Sequence, residues 1–340
     1  MAPAHSSGTF AVSDAVELAV TTRGGFVESR HAGTAIVLSK ESETLVSLGN
    51  PNATVLTRSS LKPLQSYAMH EAGLRLADTE QIALSMASHS GTGTHTAIVR
   101  QMLSDGGLTE QHLLCPPDLP ADKNSMHRML RHGGEASRIY MCCSGKHAAM
   151  LRTCQAAGWQ LQDYTAVDHP LQVHIQQTVQ RLTGENPTPI TVDGCGAPVL
   201  GLSLSALARG YRRMATADPA SAFPSNRMMA QLLAAGRQHP QLIEGPAGQD
   251  TITMESAPVF AKFGAEGVCV MAAADGTVAA VKMLDGSSRA SRIVTLALLA
   301  YTGAVTKQQF AVAMRALPLA VNGGGLRVGD IQVSIPALTS

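Results

Sequence analysis

The chain has 340 residues, 45% of them apolar, with 26 basic against 25 acidic side chains and a net charge of +1. That is enough apolar matter for a large core, while the charge balance and the 4% aromatic content argue against a nucleic-acid partner. No stretch approaches the roughly 20 apolar residues of a membrane span, and Met1–Asp14 lacks a basic start followed by an apolar run, so a cytoplasmic location is expected.

In chain order, residues 1–14 read as a flexible arm and residues 15–340 as one catalytic domain. Gly33–Ser39 and Thr44–Leu48 are apolar, partly β-branched runs that predict a hairpin. Helices are predicted over Ser59–Gly73, with Pro63 in the first turn and Ser59 or Ser60 as cap, and over Thr79–Ala87 and Thr94–Ser104. Further helices are predicted over Asp168–Leu182, Leu200–Ala208 and Ser225–Gln238. Asp275-Gly276 is a strong turn signal between the apolar runs Gly267–Ala274 and Thr277–Leu284. Ser287–Tyr301 and Lys307–Leu317 close the pattern as helices. The Pro/Gly-rich patches Pro116–Pro120 and Gly245–Gly248 read as surface loops. Strands near both ends around a helical middle predict an α/β (α+β) fold. Its antiparallel sheet is drawn from both chain ends, with helices on it and an inserted helical lobe.

Chemistry enters at Arg58-Ser59-Ser60-Leu61-Lys62-Pro63. Ser-x-x-Lys at a helix start places Ser59 and Lys62 on one face, where a lysine of lowered pKa can take the serine proton. Val259-Phe260-Ala261-Lys262-Phe263-Gly264 supplies a Lys-x-Gly segment, and serine β-lactamases face such a strand with their Ser-x-x-Lys helix. Here Phe263 stands where those enzymes have Thr. Ala87-Ser88-His89-Ser90-Gly91 is a small polar segment suited to a proton-relaying wall or to an ordinary loop.

Two of the six cysteines have distinctive neighbours: Cys143 in Cys142-Cys143-Ser144-Gly145-Lys146-His147, and Cys195 in Asp193-Gly194-Cys195-Gly196. Two thiolates in tight loops can meet on zinc, with Lys146 or His147 as third ligand; chemistry alone favours histidine. Ser144-Gly145-Lys146 lacks the upstream glycine of a phosphate loop, since position 140 is Tyr140, so nucleotide binding is not expected.

These segments, with Arg23-Gly24-Gly25-x-Val27-Glu28, Gly49-Asn50-Pro51 and Asp168-His169-Pro170, stand in the order of the asparaginase II family, which the chain resembles from about Arg23 to Asn322. That family comprises the rhizobial-type, zinc-containing L-asparaginases. The resemblance implies a fold similar to serine β-lactamases and a homodimer. It implies L-asparagine as substrate and two Ser–Lys pairs, Ser59 with Lys62 and Ser88 with Lys262. It also implies one zinc on Cys143, Lys146 and Cys195 with a water; the zinc is expected to orient the substrate or Asp193 rather than to activate the attacking water, with His147 beside it at the substrate site. Arg58 is expected to hold the substrate α-carboxylate and Asp193 its ammonium. Cys142 departs from the family's usual Asn, and Pro246-Ala247-Gly248-Gln249-Asp250 from its glycine/arginine-rich loop. The competing readings are a serine hydrolase for another small amide on the same architecture, and a non-catalytic thiol or zinc binding protein.

Overall fold

The computed structural model describes residues 8–335. Of the arm expected over residues 1–14, residues 1–7 lie outside the described residues; in the remainder Phe10 is buried and Val12–Asp14 makes one 3-10 turn.

The strands are β1 (Val16–Arg23), β2 (Phe26–Leu38), β3 (Thr44–Leu48), β4 (Thr54–Leu56), β5 (Ile190–Val192), β6 (Pro198–Ser203), β7 (Val259–Gly264), β8 (Val268–Ala273), β9 (Val278–Met283), β10 (Ala320–Gly323) and β11 (Leu326–Val333). The main sheet has the order β10-β11-β1-β2-β9-β8-β7, with β3 also paired to β2, and every pairing is antiparallel. It is assembled from both chain ends, as the sequence predicts. β4-β6-β5 form a small second sheet.

The helices are α1 (Lys62–Glu71), α2 (Thr79–Ser85), α3 (Gly93–Ser104), α4 (Lys123–Arg131), α5 (Ser144–Ala157), α6 (Pro170–Thr183), α7 (Leu204–Ala215), α8 (Pro224–Gln238), α9 (Pro240–Ile243), α10 (Gln249–Ser256), α11 (Ser291–Tyr301) and α12 (Lys307–Ala316). Their ends follow local chemistry. Asp78 caps α2 through the Gln81 amide, and Pro170 opens α6. Gly158 and Gly184 end α5 and α6 in the left-handed conformation at φ 71° and 72°, which glycine adopts without strain.

β8 and β9 are buried on both faces, and their side chains alternate between two cores. Val268, Val270, Ala272, Val278 and Ala280 join the core under the helical lobe; Cys269, Met271, Ala273, Ala279, Val281 and Met283 join the one under α11 and α12. Such strands read as continuous apolar runs because helices cover both sides. Among the described residues no helix is long and apolar enough to cross a membrane.

Two expectations are corrected. Leu200–Ser203 is strand, not helix: it pairs with β4 and β5, and α7 starts only after Ser203, whose hydroxyl accepts the Ala206 amide. A short apolar run does not by itself distinguish the two states. Neither Ser59 nor Ser60 caps α1 by side chain; Ser60 Oγ donates to Thr57 O within the 3-10 turn Arg58–Leu61.

Candidate active site

The turn Arg58–Leu61 is fixed before α1 begins. The Thr57 amide and hydroxyl both donate to Leu200 O on β6, at 3.1 and 2.8 Å. Tyr211 donates to Ser60 O at 2.5 Å. Arg58 sits at φ +48°, a left-handed conformation that an L side chain rarely adopts and that marks a conformationally constrained turn. Gly264, at the end of β7, abuts this turn: a Cβ there would lie 2.9 Å from Thr57 O and 3.1 Å from Ser60 N. Gly264→Ala is therefore expected to displace the turn, costing about 1–3 kcal/mol of stability and roughly 100-fold in kcat. A melting curve and a rate measurement on the variant check both.

A cavity of about 720 Å³ opens beside the turn, and Arg58, Ser59, Ser88, Asp193, Cys143 and Cys195 all line it. Ser88 is placed by its own backbone, since its amide donates to Ile243 O at 2.8 Å and the next amide, of His89, to Cys142 O at 3.0 Å. Behind Ser88 lie the two lysines, both buried. Lys62 Nζ donates to Ser88 Oγ at 2.8 Å and to Ala87 O at 2.5 Å. Lys262 Nζ reaches the same Ser88 Oγ at 3.0 Å. Lys262 is thus a strand residue inside the protein rather than a loop lysine. Burial pushes its pKa down to about 8, with Asp250 resisting and Lys62 assisting.

The arrangement differs from two separate Ser–Lys pairs. One serine, Ser88, bridges both amines, while Ser59 Oγ has no hydrogen-bond partner among the described residues. The reason is the 3-10 turn: Ser59 faces the cavity while the Lys62 stem runs inward to Ala87 and Ser88. The Ser59 and Ala265 amides also have no partner among the described residues, and both residues line the cavity. Two free N–H groups at one wall can stabilise a developing oxyanion.

Arg58 and Asp193, expected on the α-carboxylate and the α-ammonium of the substrate, are themselves paired, with Nε to Oδ1 at 2.8 Å. Asp193 belongs to the turn that carries Cys195, closed by its amide donating to Ala197 O and by the Gly196 amide donating to Asp193 O.

The thiols also converge. Cys142 and Cys143 Sγ are 3.7 Å apart, and Lys146 Nζ is 3.4 Å from Cys195 Sγ. Hydrogen bonds from Cys142 and Cys195, with the Lys62 and Lys146 charges, hold Cys143 well below the ordinary thiol range. The bond to Cys143 and burial push Cys142 and Cys195 up. Burial works against the Lys146 ammonium, but Cys195, Cys143 and Asp193 outweigh it and raise its pKa.

Among the described residues no group of three His, Cys, Asp or Glu side chains is placed to hold a metal, so a donor of another type is considered. Lys146 Nζ, beside Cys195 Sγ, is the candidate for such a donor. A sulfur and a nitrogen bound to one tetrahedral zinc lie roughly 3.5 Å apart, close to the Lys146–Cys195 separation. The set fits zinc provided Lys146 is deprotonated. His147, the ligand favoured on chemistry alone, is directed elsewhere: it is fully buried, its Nδ1 bonds Tyr164 Oη at 2.8 Å, and burial and the Lys146 charge push it down to about 3. Nor is it among the residues lining the cavity, contrary to its expected place at the substrate.

Glu244, Asp122 and Asn124 also line the cavity, though no motif marks them, and Gly245, Ala247 and Gly248, within the expected surface loop, form part of its wall. Gly245 packs on the Ser88–Gly91 segment: at φ 142°, a Cβ there would lie 2.2 Å from Ser90 Oγ.

Comparison with solved structures finds a β-lactamase from Mycobacterium bovis at 16% identity, covering 79% of this chain and 94% of that one with a TM-score of 0.43. It also finds a β-lactamase from Desulfarculus baarsii at 17% identity, covering 74% and 82% with a TM-score of 0.31. No curated protein matches the chain. The family model described as L-asparaginase II matches residues 19–333, nearly the whole chain, and the chain therefore belongs to the L-asparaginase II family.

Proposed function

We propose that the protein hydrolyses the side-chain amide of L-asparagine to L-aspartate and ammonia through an acyl-enzyme on Ser59. The carrying observation is the meeting of both lysine amines on Ser88 Oγ at the wall of the cavity that Ser59 lines, in a chain of this family. The Ser59 Oγ–H bond breaks as Oγ bonds the amide carbon, and the proton passes into the Lys62–Ser88–Lys262 chain. The carbonyl oxygen becomes an oxyanion facing the Ser59 and Ala265 amides. Its collapse breaks the C–N bond, with a proton returned to the departing ammonia from the Lys62–Ser88–Lys262 chain. Water then attacks the β-aspartyl ester, and the same groups restore Ser59 as aspartate forms. Arg58 holds the α-carboxylate and Asp193 the α-ammonium.

Cys143, Cys195 and Lys146 would hold one zinc ion. When bound it supplies positive charge that orients Asp193 and the amino-acid end of the substrate. Cys143→Ala and Cys195→Ala are each expected to lose the bound metal; elemental analysis showing equal zinc in variants and parent contradicts the assignment. A homodimer acting in the cytoplasm completes the proposal.

The substrate reading is tested by ammonia release from asparagine, glutamine and a β-aspartyl peptide, beside turnover of the chromogenic β-lactam nitrocefin. Asparagine is expected to give the highest kcat/KM. Turnover of any of the others without asparagine turnover overturns the reading.

A further inference from the structure

Behind Phe263 lies a buried ionic cluster that the proposed chemistry leaves unused. Arg292 enters from the first turn of α11 and is 4% exposed. Its Nε meets Asp250 Oδ1 at 3.1 Å and its Nη2 meets Glu244 Oε1 at 3.0 Å. The remaining oxygens are also engaged: Glu244 Oε2 accepts the Asp250 amide at 2.7 Å, and Asp250 Oδ2 accepts the Phe263 amide at 2.8 Å. The Phe263 ring has Lys262 Nζ and the Arg292 guanidinium each 4.4 Å from its centroid. One guanidinium is thereby tied to the cavity wall at Glu244 and to strand β7 one residue from Lys262.

We propose that Arg292 is a positioning residue for Lys262, acting through Asp250 and Glu244, and that this cluster sets the charge state in which Lys262 meets Ser88. The proposal rests on the reading above for the part Lys262 plays in turnover.

The charge count gives the physical reason. One guanidinium against two carboxylates leaves a charge of −1 buried beside Lys262. Burial favours the neutral amine, Asp250 favours the ammonium, Lys62 opposes it and Glu244 supports it. Burial and Asp250 raise the Glu244 pKa, while Arg292 holds it down. The other groups around β7 leave this balance intact. Cys269 on β8 is pushed up to about 12 by burial, and burial likewise raises Tyr211 of α7. Arg58 is paired with Asp193, and α8 meets the strand through Gly236 against Phe260.

Arg292→Gln leaves −2 beside Lys262 and stabilises its ammonium. Glu244→Gln leaves the cluster neutral and favours the free amine. With Lys262 part of the chain that receives the Ser59 proton through Ser88, the acid limb of kcat is expected to move up in R292Q and down in E244Q, each by about one pH unit. R292Q, slowed about tenfold at pH 7, recovers above its displaced limb, which lost packing alone would not produce. A second readout needs no substrate: the Cε resonance of Lys262, identified by its loss in Lys262→Met, is titrated by NMR in parent and variants.

Opposite displacements of that titration support the positioning role, even if asparagine releases no ammonia and the asparaginase reading falls. Asparagine turnover with an unmoved Lys262 titration, or displacements of one sign in both variants, overturns the role and leaves the asparaginase reading standing. Should R292Q fail to fold, E244Q decides alone, and an unmoved titration there overturns the proposal.

Discussion

Ser59→Ala is expected to lower kcat on asparagine by on the order of 10⁴-fold or more while the melting temperature stays within a degree or two of the parent. The rate effect follows from removing the atom that forms the covalent bond. The stability expectation follows from the surroundings: Ser59 is half-buried, and its hydroxyl has no hydrogen-bond partner among the described residues. Neighbouring Ser60 is the contrasting control, because it is buried and donates to Thr57 O. Ser60→Ala should disturb the turn and cost stability first. Rate assays and thermal unfolding of both variants check the pair; unchanged turnover in S59A would remove Ser59 from the mechanism.

Lys62→Met is expected to lose about 10³-fold or more in kcat with no loss of stability. Lys62 is 1% exposed, so methionine keeps most of the packed stem and removes a buried amine. The lost bonds are those to Ala87 O and Ser88 Oγ. Ser88 keeps Lys262 as a partner, so its hydroxyl is not stranded. Replacing a buried amine by an apolar side chain of similar volume removes the cost of keeping a polar group out of water. A variant that melts far lower while retaining its rate would make Lys62 a structural residue.

The sequence carried the parts of this site that are local. Ser59-x-x-Lys62 sits at a helix start, Lys262-x-Gly264 on a strand, and Cys143 and Lys146 at the cap and first turn of α5, so short spacing makes them legible. The sheet drawn from both ends was legible where β8 and β9 flank Asp275-Gly276, because a tight turn fixes the pairing. What escaped was non-local. Arg292 joins Asp250 and Glu244 from 42 and 48 residues away, and no periodicity links them. The transfer of Lys62 from Ser59 to Ser88 depends on a 3-10 turn with Arg58 at positive φ, which residue spacing does not encode. Lys146 rather than His147 beside the thiols reflects Tyr164, from beyond the end of α5, bonding the imidazole.

The central claim is that a covalent ester forms on the serine at the Arg58–Leu61 turn. Rapid acid quench of the enzyme during asparagine turnover, followed by peptide mass spectrometry, tests it directly. The account predicts an aspartyl mass increase on the peptide bearing Ser59, absent from Ser59→Ala. An adduct on Ser88 instead, or full turnover by Ser59→Ala, would contradict it.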